Sequence, residues 1–83
     1  MSLGYYRSQI DNIDQRIVAL LEQRMKCSHR IGTIKVSHAL PVEHPQRERD
    51  ILSTLHSRSA LEPEMIDALY KTIFTFSKNH QDI

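Results

Sequence analysis

Arg24 stands where an apolar residue belongs. Two apolar series with a step of seven run through the N-terminal half of the chain: Ile10, Ile17, position 24, Ile31, and Ile13, Leu20, Cys27, Ile34. Together they form the 3-4 repeat of a buried helical seam. A guanidinium in such a seam needs an anion or a route to water, because a buried unpaired charge is costly. Lys35 lies eleven positions after Arg24, about three helical turns, so it projects from nearly the same face roughly 16 Å along the axis. Two long cations so placed can lean toward one anion, with Gly32 between them leaving room for a close approach. Snorkelling of both side chains to the edge of a helix bundle is the competing reading.

Further polar residues fall on faces that the pattern turns inward. Arg7 precedes Arg24 by seventeen positions, about 25 Å in a straight helix. It cannot serve the Arg24 site of its own chain, but it can reach the equivalent site of a second chain lying antiparallel. Alternatively it is a solvated surface arginine. In "PQRERD" (45–50), Arg47 and Glu48 enter a second helix. Glu48 shares a face with Ile51, Leu52 and Leu55. An acid near a helix N-terminus is favoured by the helix dipole, which explains its presence but not its apolar face. Ser77 and Gln81, four apart, continue the line of Tyr70 and Ile73 or Phe74. The other reading of that pair is a helix end fraying into water.

This inventory holds no nucleophile–base pair, no glycine-rich phosphate loop and no metal-ligand spacing among the five histidines, so neither metal nor cofactor is expected. It suits a small dianion whose reaction needs holding and polarising rather than covalent attack.

The elements that must position these residues follow from glycine and proline placement. From about 5 to 36 only Gly32 interrupts a helical sequence, at a cost of about 1 kcal/mol relative to alanine. Such a helix is roughly 45 Å long, more than a compact domain of this size spans. It must pack along something equally long, and a second copy is the simplest candidate. Pro41 and Pro45 exclude a continuous helix, giving a loop over 37–44. Pro45 opens a second helix to about 57, with Glu48, Ile51, Leu52 and Leu55 inward. Pro63 opens a third to about 79, with Ile66, Leu69, Ile73 and Phe76 as its stripe. The fold class is all-α, a single domain over 1–83 of one long and two shorter helices, with no strand signal and no internal repeat.

Composition excludes several classes. Eighty-three residues give one modest core, and domains this small often gain stability by oligomerising. A net charge of +1 makes no case for nucleic acid. No apolar run approaches the ~20 residues of a membrane span, and no signal peptide is apparent. Met1-Ser2-Leu3 reads as an appendage ahead of the first helix. Cys27 is the single cysteine, which points to a reduced cytoplasmic setting, and its place in the apolar series suggests a buried, inert thiol.

The order Arg7, Asp14, Leu20-Leu21, Arg24, Ile31-Gly32, Lys35, Pro41-Val42, Arg47-Glu48, Ser77, Gln81 resembles the all-helical (AroQ-class) chorismate mutases over nearly the whole chain. "LLEQR", "IGTIK" and "PQRERDIL" with the late glutamine are specific as a set. The resemblance implies an intertwined homodimer with antiparallel long helices, each site taking one arginine from the other chain. It also implies the roles. Arg7 of the partner subunit, Arg24 and Arg47 bind the two carboxylates of chorismate, supported by Ser77. Lys35 and Gln81 donate to the ether oxygen of the breaking bond. Glu48 accepts from the ring hydroxyl, helped by the backbone N–H of His44. His44 stands where many relatives carry another residue, often an acid. The implied reaction is the Claisen rearrangement of chorismate to prephenate, without cofactor or covalent intermediate. An isochorismate–pyruvate lyase is disfavoured by Glu48, a position that tends to be apolar in such lyases. A 4-amino-4-deoxychorismate mutase is less readily set aside, because an amine in place of the hydroxyl would also suit Glu48. A non-catalytic helical dimerisation module remains the alternative from another class.

Overall fold

A computed structural model describes residues 2–41 and 44–79 of the chain. Three helices account for the regular structure, with no strand among the described residues: α1 (Leu3–Ser37), α2 (Pro45–Arg58) and α3 (Pro63–Asn79). One long helix and two shorter ones are what the glycine and proline placement requires. α1 begins two residues earlier than the sequence suggests, because Ser2 is its N-cap. The Ser2 hydroxyl accepts from the Tyr5 N–H at 3.1 Å, which satisfies one of the orphan donors of the first turn. Pro45 and Pro63 both occupy first helical positions, where a missing N–H costs nothing.

α1 ends in a Schellman turn. The Leu40 N–H donates to the Lys35 carbonyl at 2.8 Å and the Ala39 N–H to the Val36 carbonyl at 3.3 Å. The residue between helix and loop must adopt a left-handed conformation, and here it is Ala39, with φ of 54°. Glycine is usual at that position because a Cβ crowds the following carbonyl. The turn fixes Lys35 at the mouth of the loop that carries Pro41 and His44.

α2 packs on α3, and α3 packs on the C-terminal half of α1; α1 and α2 do not make backbone contact. The molecule is a rod, 55 × 23 × 17 Å, with a radius of gyration of 15.8 Å. A compact chain of this length would have about 12 Å. The excess is α1, whose 35 residues span about 52 Å.

The apolar interior is correspondingly small. Ile66, Ile73 and Phe74 are its buried members, with Ser28, Gly32 and Ser77 closing it. α2 contributes the expected face, Glu48, Ile51, Leu52 and Leu55 all being half-buried. α3 departs from expectation: Leu69 and Phe76 are exposed, and the inward line runs Ile66, Tyr70, Ile73, Phe74, Ser77.

α1 departs further. Its heptad seam is uncovered in the single chain: Ile10, Ile13, Ile17, Leu20, Ile31 and Ile34 are all exposed, and so is Cys27, whose thiol its own chain does not bury. The face α1 turns to α3 is instead Leu21, Arg24, Met25, Ser28, Gly32 and Lys35. These recur at three and four residues, but they are polar or small at most positions. Arg24 belongs to both sets, at the border between the uncovered seam and the α3 contact. No helix among the described residues is long and apolar enough to cross a membrane.

Candidate active site

α3 brings Ser77 against α1. Ser77 is fully buried, and its hydroxyl accepts a 2.6 Å hydrogen bond from Nη1 of Arg24. The Arg24 guanidinium carbon also lies 5.9 Å from the ring centroids of both Tyr70 and Phe74, within range of cation–π attraction. Those two rings meet edge to face at 5.7 Å. Arg24 is thus held in one position by a neutral oxygen and two aromatic faces. The line of Tyr70, Phe74 and Ser77 that the sequence suggested for α3 leads into this buried contact at Ser77.

The electrostatics of Arg24 are unbalanced. Burial pushes its pKa below the ordinary value; Tyr70 and Cys27 oppose that shift, and the like charge of Arg47 adds to it. The group stays protonated at any working pH. Among the described residues no carboxylate pairs with it. The guanidinium groups of Arg24 on α1 and Arg47 on α2 therefore lie in one another's field, and Arg24 has hydroxyl and ring partners but, among the described residues, no paired carboxylate. An anionic group is the kind of ligand that such a centre can take.

Lys35 and His44 border a shallow recess with Leu40 and Pro41 at the α1–α2 turn. Lys35 is half-buried, as expected of a residue on the inward face of α1. His44 is exposed and is the N-cap residue of α2, without a side-chain capping bond; its carbonyl accepts the Glu48 N–H at 3.3 Å. Glu48 reaches inward from the first turn of α2 and forms an ion pair with Lys78, 3.6 Å from Oε2 to Nζ. Lys78 is the site neighbour that sequence reasoning passed over. A lysine in the last turn of a helix is favoured by the dipole, so its type and position carried no further signal. The inward direction of Glu48 was the one available hint that a cation faces it.

Arg7 is exposed on the N-terminal half of α1, far from Arg24 along the same helix. The chain alone does not bring it to the site. Gln81 lies outside the described residues. The site residues drawn together in one chain are therefore Arg24, Ser77 and Arg47, with Lys35 and His44 at the adjoining turn and Glu48 at the α2–α3 seam.

The profile of the family described as "Chorismate mutase type II" matches residues 6–82. The chain belongs to that family. Its relatives include the "Bifunctional chorismate mutase/prephenate dehydratase" of Aquifex aeolicus (strain VF5), 45% identical over 49 residues, 59% of this chain and 14% of that protein. The "T-protein" of Enterobacter agglomerans is 26% identical over 70 residues, 81% of this chain and 19% of the relative. That of Haemophilus influenzae (strain ATCC 51907 / DSM 11121 / KW20 / Rd) is 36% identical over 42 residues, 51% and 11% respectively. The matched segments thus make up less than a fifth of each of these curated relatives.

Proposed function

We propose that this chain is a chorismate mutase that converts chorismate to prephenate as a homodimer. The observation that carries the reading is Arg24: half-buried, fixed by Ser77 and two rings, close to a second arginine, and without an anionic partner among the described residues.

The rearrangement is unimolecular and needs neither acid nor base. Its barrier falls when the enolpyruvyl arm is held over the ring, and anchoring both carboxylates does this. Arg24 and Arg47 take that role, with Arg7 of the partner subunit as the third cation. Substrate carboxylates then supply the countercharge that Arg24 lacks. Negative charge develops on the ether oxygen as the C–O bond breaks. Lys35 and Gln81 donate to it, and a preorganised donor of this kind is worth about 3–4 kcal/mol, or roughly 10²–10³ in rate. Glu48 accepts from the ring hydroxyl, and the exposed His44 contributes through its backbone N–H. No cofactor or metal enters this mechanism.

The uncovered seam of α1 supports the dimer. Ile10, Ile13, Ile17 and Leu20 are too many large apolar side chains on one rod for a freely soluble monomer. An antiparallel second copy of α1 covers them and carries Arg7 toward the opposite Arg24. The single cysteine fits a reduced cytoplasmic setting.

The test is ultraviolet absorbance with chorismate. Loss of the diene signal with prephenate as product supports the enzyme. Unchanged absorbance at micromolar protein leaves a helical dimerisation module and ends the proposal.

A further inference from the structure

Lys78 has no place in the mechanism above, yet it is tied to a residue that does. Its Nζ lies 3.6 Å from Oε2 of Glu48, joining α3 to the first turn of α2. The two side chains are 30% and 23% exposed, so this is not a pair of solvated tips meeting in bulk water. Each partner also directly follows a member of the arginine centre. Lys78 comes after Ser77, which is fully buried against Arg24, and Glu48 comes after Arg47, whose charge acts on Arg24.

We propose that Lys78 is a specificity-determining residue, selecting a hydroxyl over an ammonium on the ring carbon that faces Glu48. The inference rests on the reading of Glu48 as acceptor for that ring substituent. A lone carboxylate prefers an ammonium, since the contact is both a hydrogen bond and an ion pair. A carboxylate already paired with lysine still has lone pairs to offer but little net charge. An incoming ammonium then gains little from Glu48 and meets the like charge of Lys78 close by. A hydroxyl donates to a remaining lone pair without a charge penalty. The same acid therefore serves different substrates according to whether its cation is present, and in this chain the cation is present.

The experiment is kcat/KM for chorismate and for 4-amino-4-deoxychorismate, whose amine is protonated at neutral pH, in the wild-type chain and in K78M, K78Q and K78R. The wild type is expected to favour the hydroxyl substrate. K78M, which keeps the length of the stem and loses the charge, is expected to lower that preference at least tenfold. K78Q does the same if K78M fails to fold, and K78R retains the wild-type ratio. A wild type that favours the amine overturns the proposal. So does a ratio that stays within twofold in the folded neutral variants, even if overall activity or thermal stability falls, because a purely structural tie between α2 and α3 affects both substrates alike. Turnover of both substrates with an unchanged ratio removes only the role of Lys78. Turnover of neither substrate by the wild type removes the proposed function, and this inference with it.

Discussion

Arg24 and Ser77 meet at 2.6 Å across the α1–α3 contact, a charged donor on a fully buried hydroxyl. Ser77 Oγ is the one hydrogen-bond acceptor that Arg24 has among the described residues. Replacing Ser77 with alanine removes it and leaves a part-buried guanidinium short of a partner. A hydrogen bond to a charged group contributes about 1.5–3 kcal/mol, so S77A is expected to lose about that much stability without ligand. A bound dianion returns acceptors to Arg24. The deficit should therefore shrink when urea unfolding is repeated with a saturating, unreactive dicarboxylate analogue, while KM for chorismate rises. Equal destabilisation with and without the analogue would place the anion elsewhere.

Much of this arrangement was legible in the sequence, and the parts that were not share a cause. Glu48, Ile51, Leu52 and Leu55 read correctly because α2 has one partner and one apolar face, so the 3.6-residue period has a single meaning. Leu69 and Phe76 on α3, like the heptad seam on α1, are apolar but uncovered by their own chain. Hydropathy reports that a face will be buried, not by which molecule. The face of α1 that contacts α3 was hidden for the opposite reason. Ser28, Gly32, Arg24 and Lys35 give almost no apolar signal, although the first two are buried. Arg24 was visible because it broke a pattern, and Ser77 because it extended one. Lys78 did neither.

Lys35 tests the electrostatic part of the mechanism. It projects from the last turn of α1, whose closing Leu40-to-Lys35 hydrogen bond is a backbone bond that alanine at this position keeps. K35A should therefore leave the fold and the dimer intact on gel filtration. Loss of its donation to the ether oxygen should lower kcat by roughly 10²–10³. A variant of near-normal rate would take Lys35 out of the mechanism.

Gln81 invites a test whose sign is set by protonation. A glutamine donates at every pH. A glutamate in its place donates only when protonated, and the unperturbed group titrates near pH ~4.3. Q81E should accordingly gain activity as pH falls from neutral toward acid, while the wild type is comparatively flat over the same range. A flat profile in Q81E would argue that position 81 makes no contact with the reacting oxygen.

Ala39 offers a test of stability independent of the reaction. Its φ of 54° places a Cβ in the left-handed region at the residue that closes α1. Such a conformation costs an ordinary residue about 1–2 kcal/mol relative to glycine. Glycine regains part of that in the fold but leaves the unfolded chain more freedom to lose. A39G should raise stability by about 0.5–1 kcal/mol, read as a higher urea midpoint at fixed protein concentration with an unchanged slope. A lower midpoint would mean that Ala39 has contacts whose loss outweighs the relief.

Arg7 and Arg24 supply the test of a shared site. If each site takes Arg7 from the opposite chain, R7A and R24A homodimers are both inactive, since every site in them lacks one arginine. In a mixed dimer the two lesions fall on one site. The R7A chain retains its own Arg24 and receives an intact Arg7 from the R24A chain, while the other site lacks both. Random reassortment of equal amounts makes half the dimers mixed, so about a quarter of all sites become whole. Co-refolded R7A and R24A should recover about that fraction of wild-type activity, and each alone should recover none. Activity no greater than the sum of the two parents would mean that Arg7 serves only its own chain. The roughly 25 Å separating it from Arg24 along α1 would then exclude it from the site altogether.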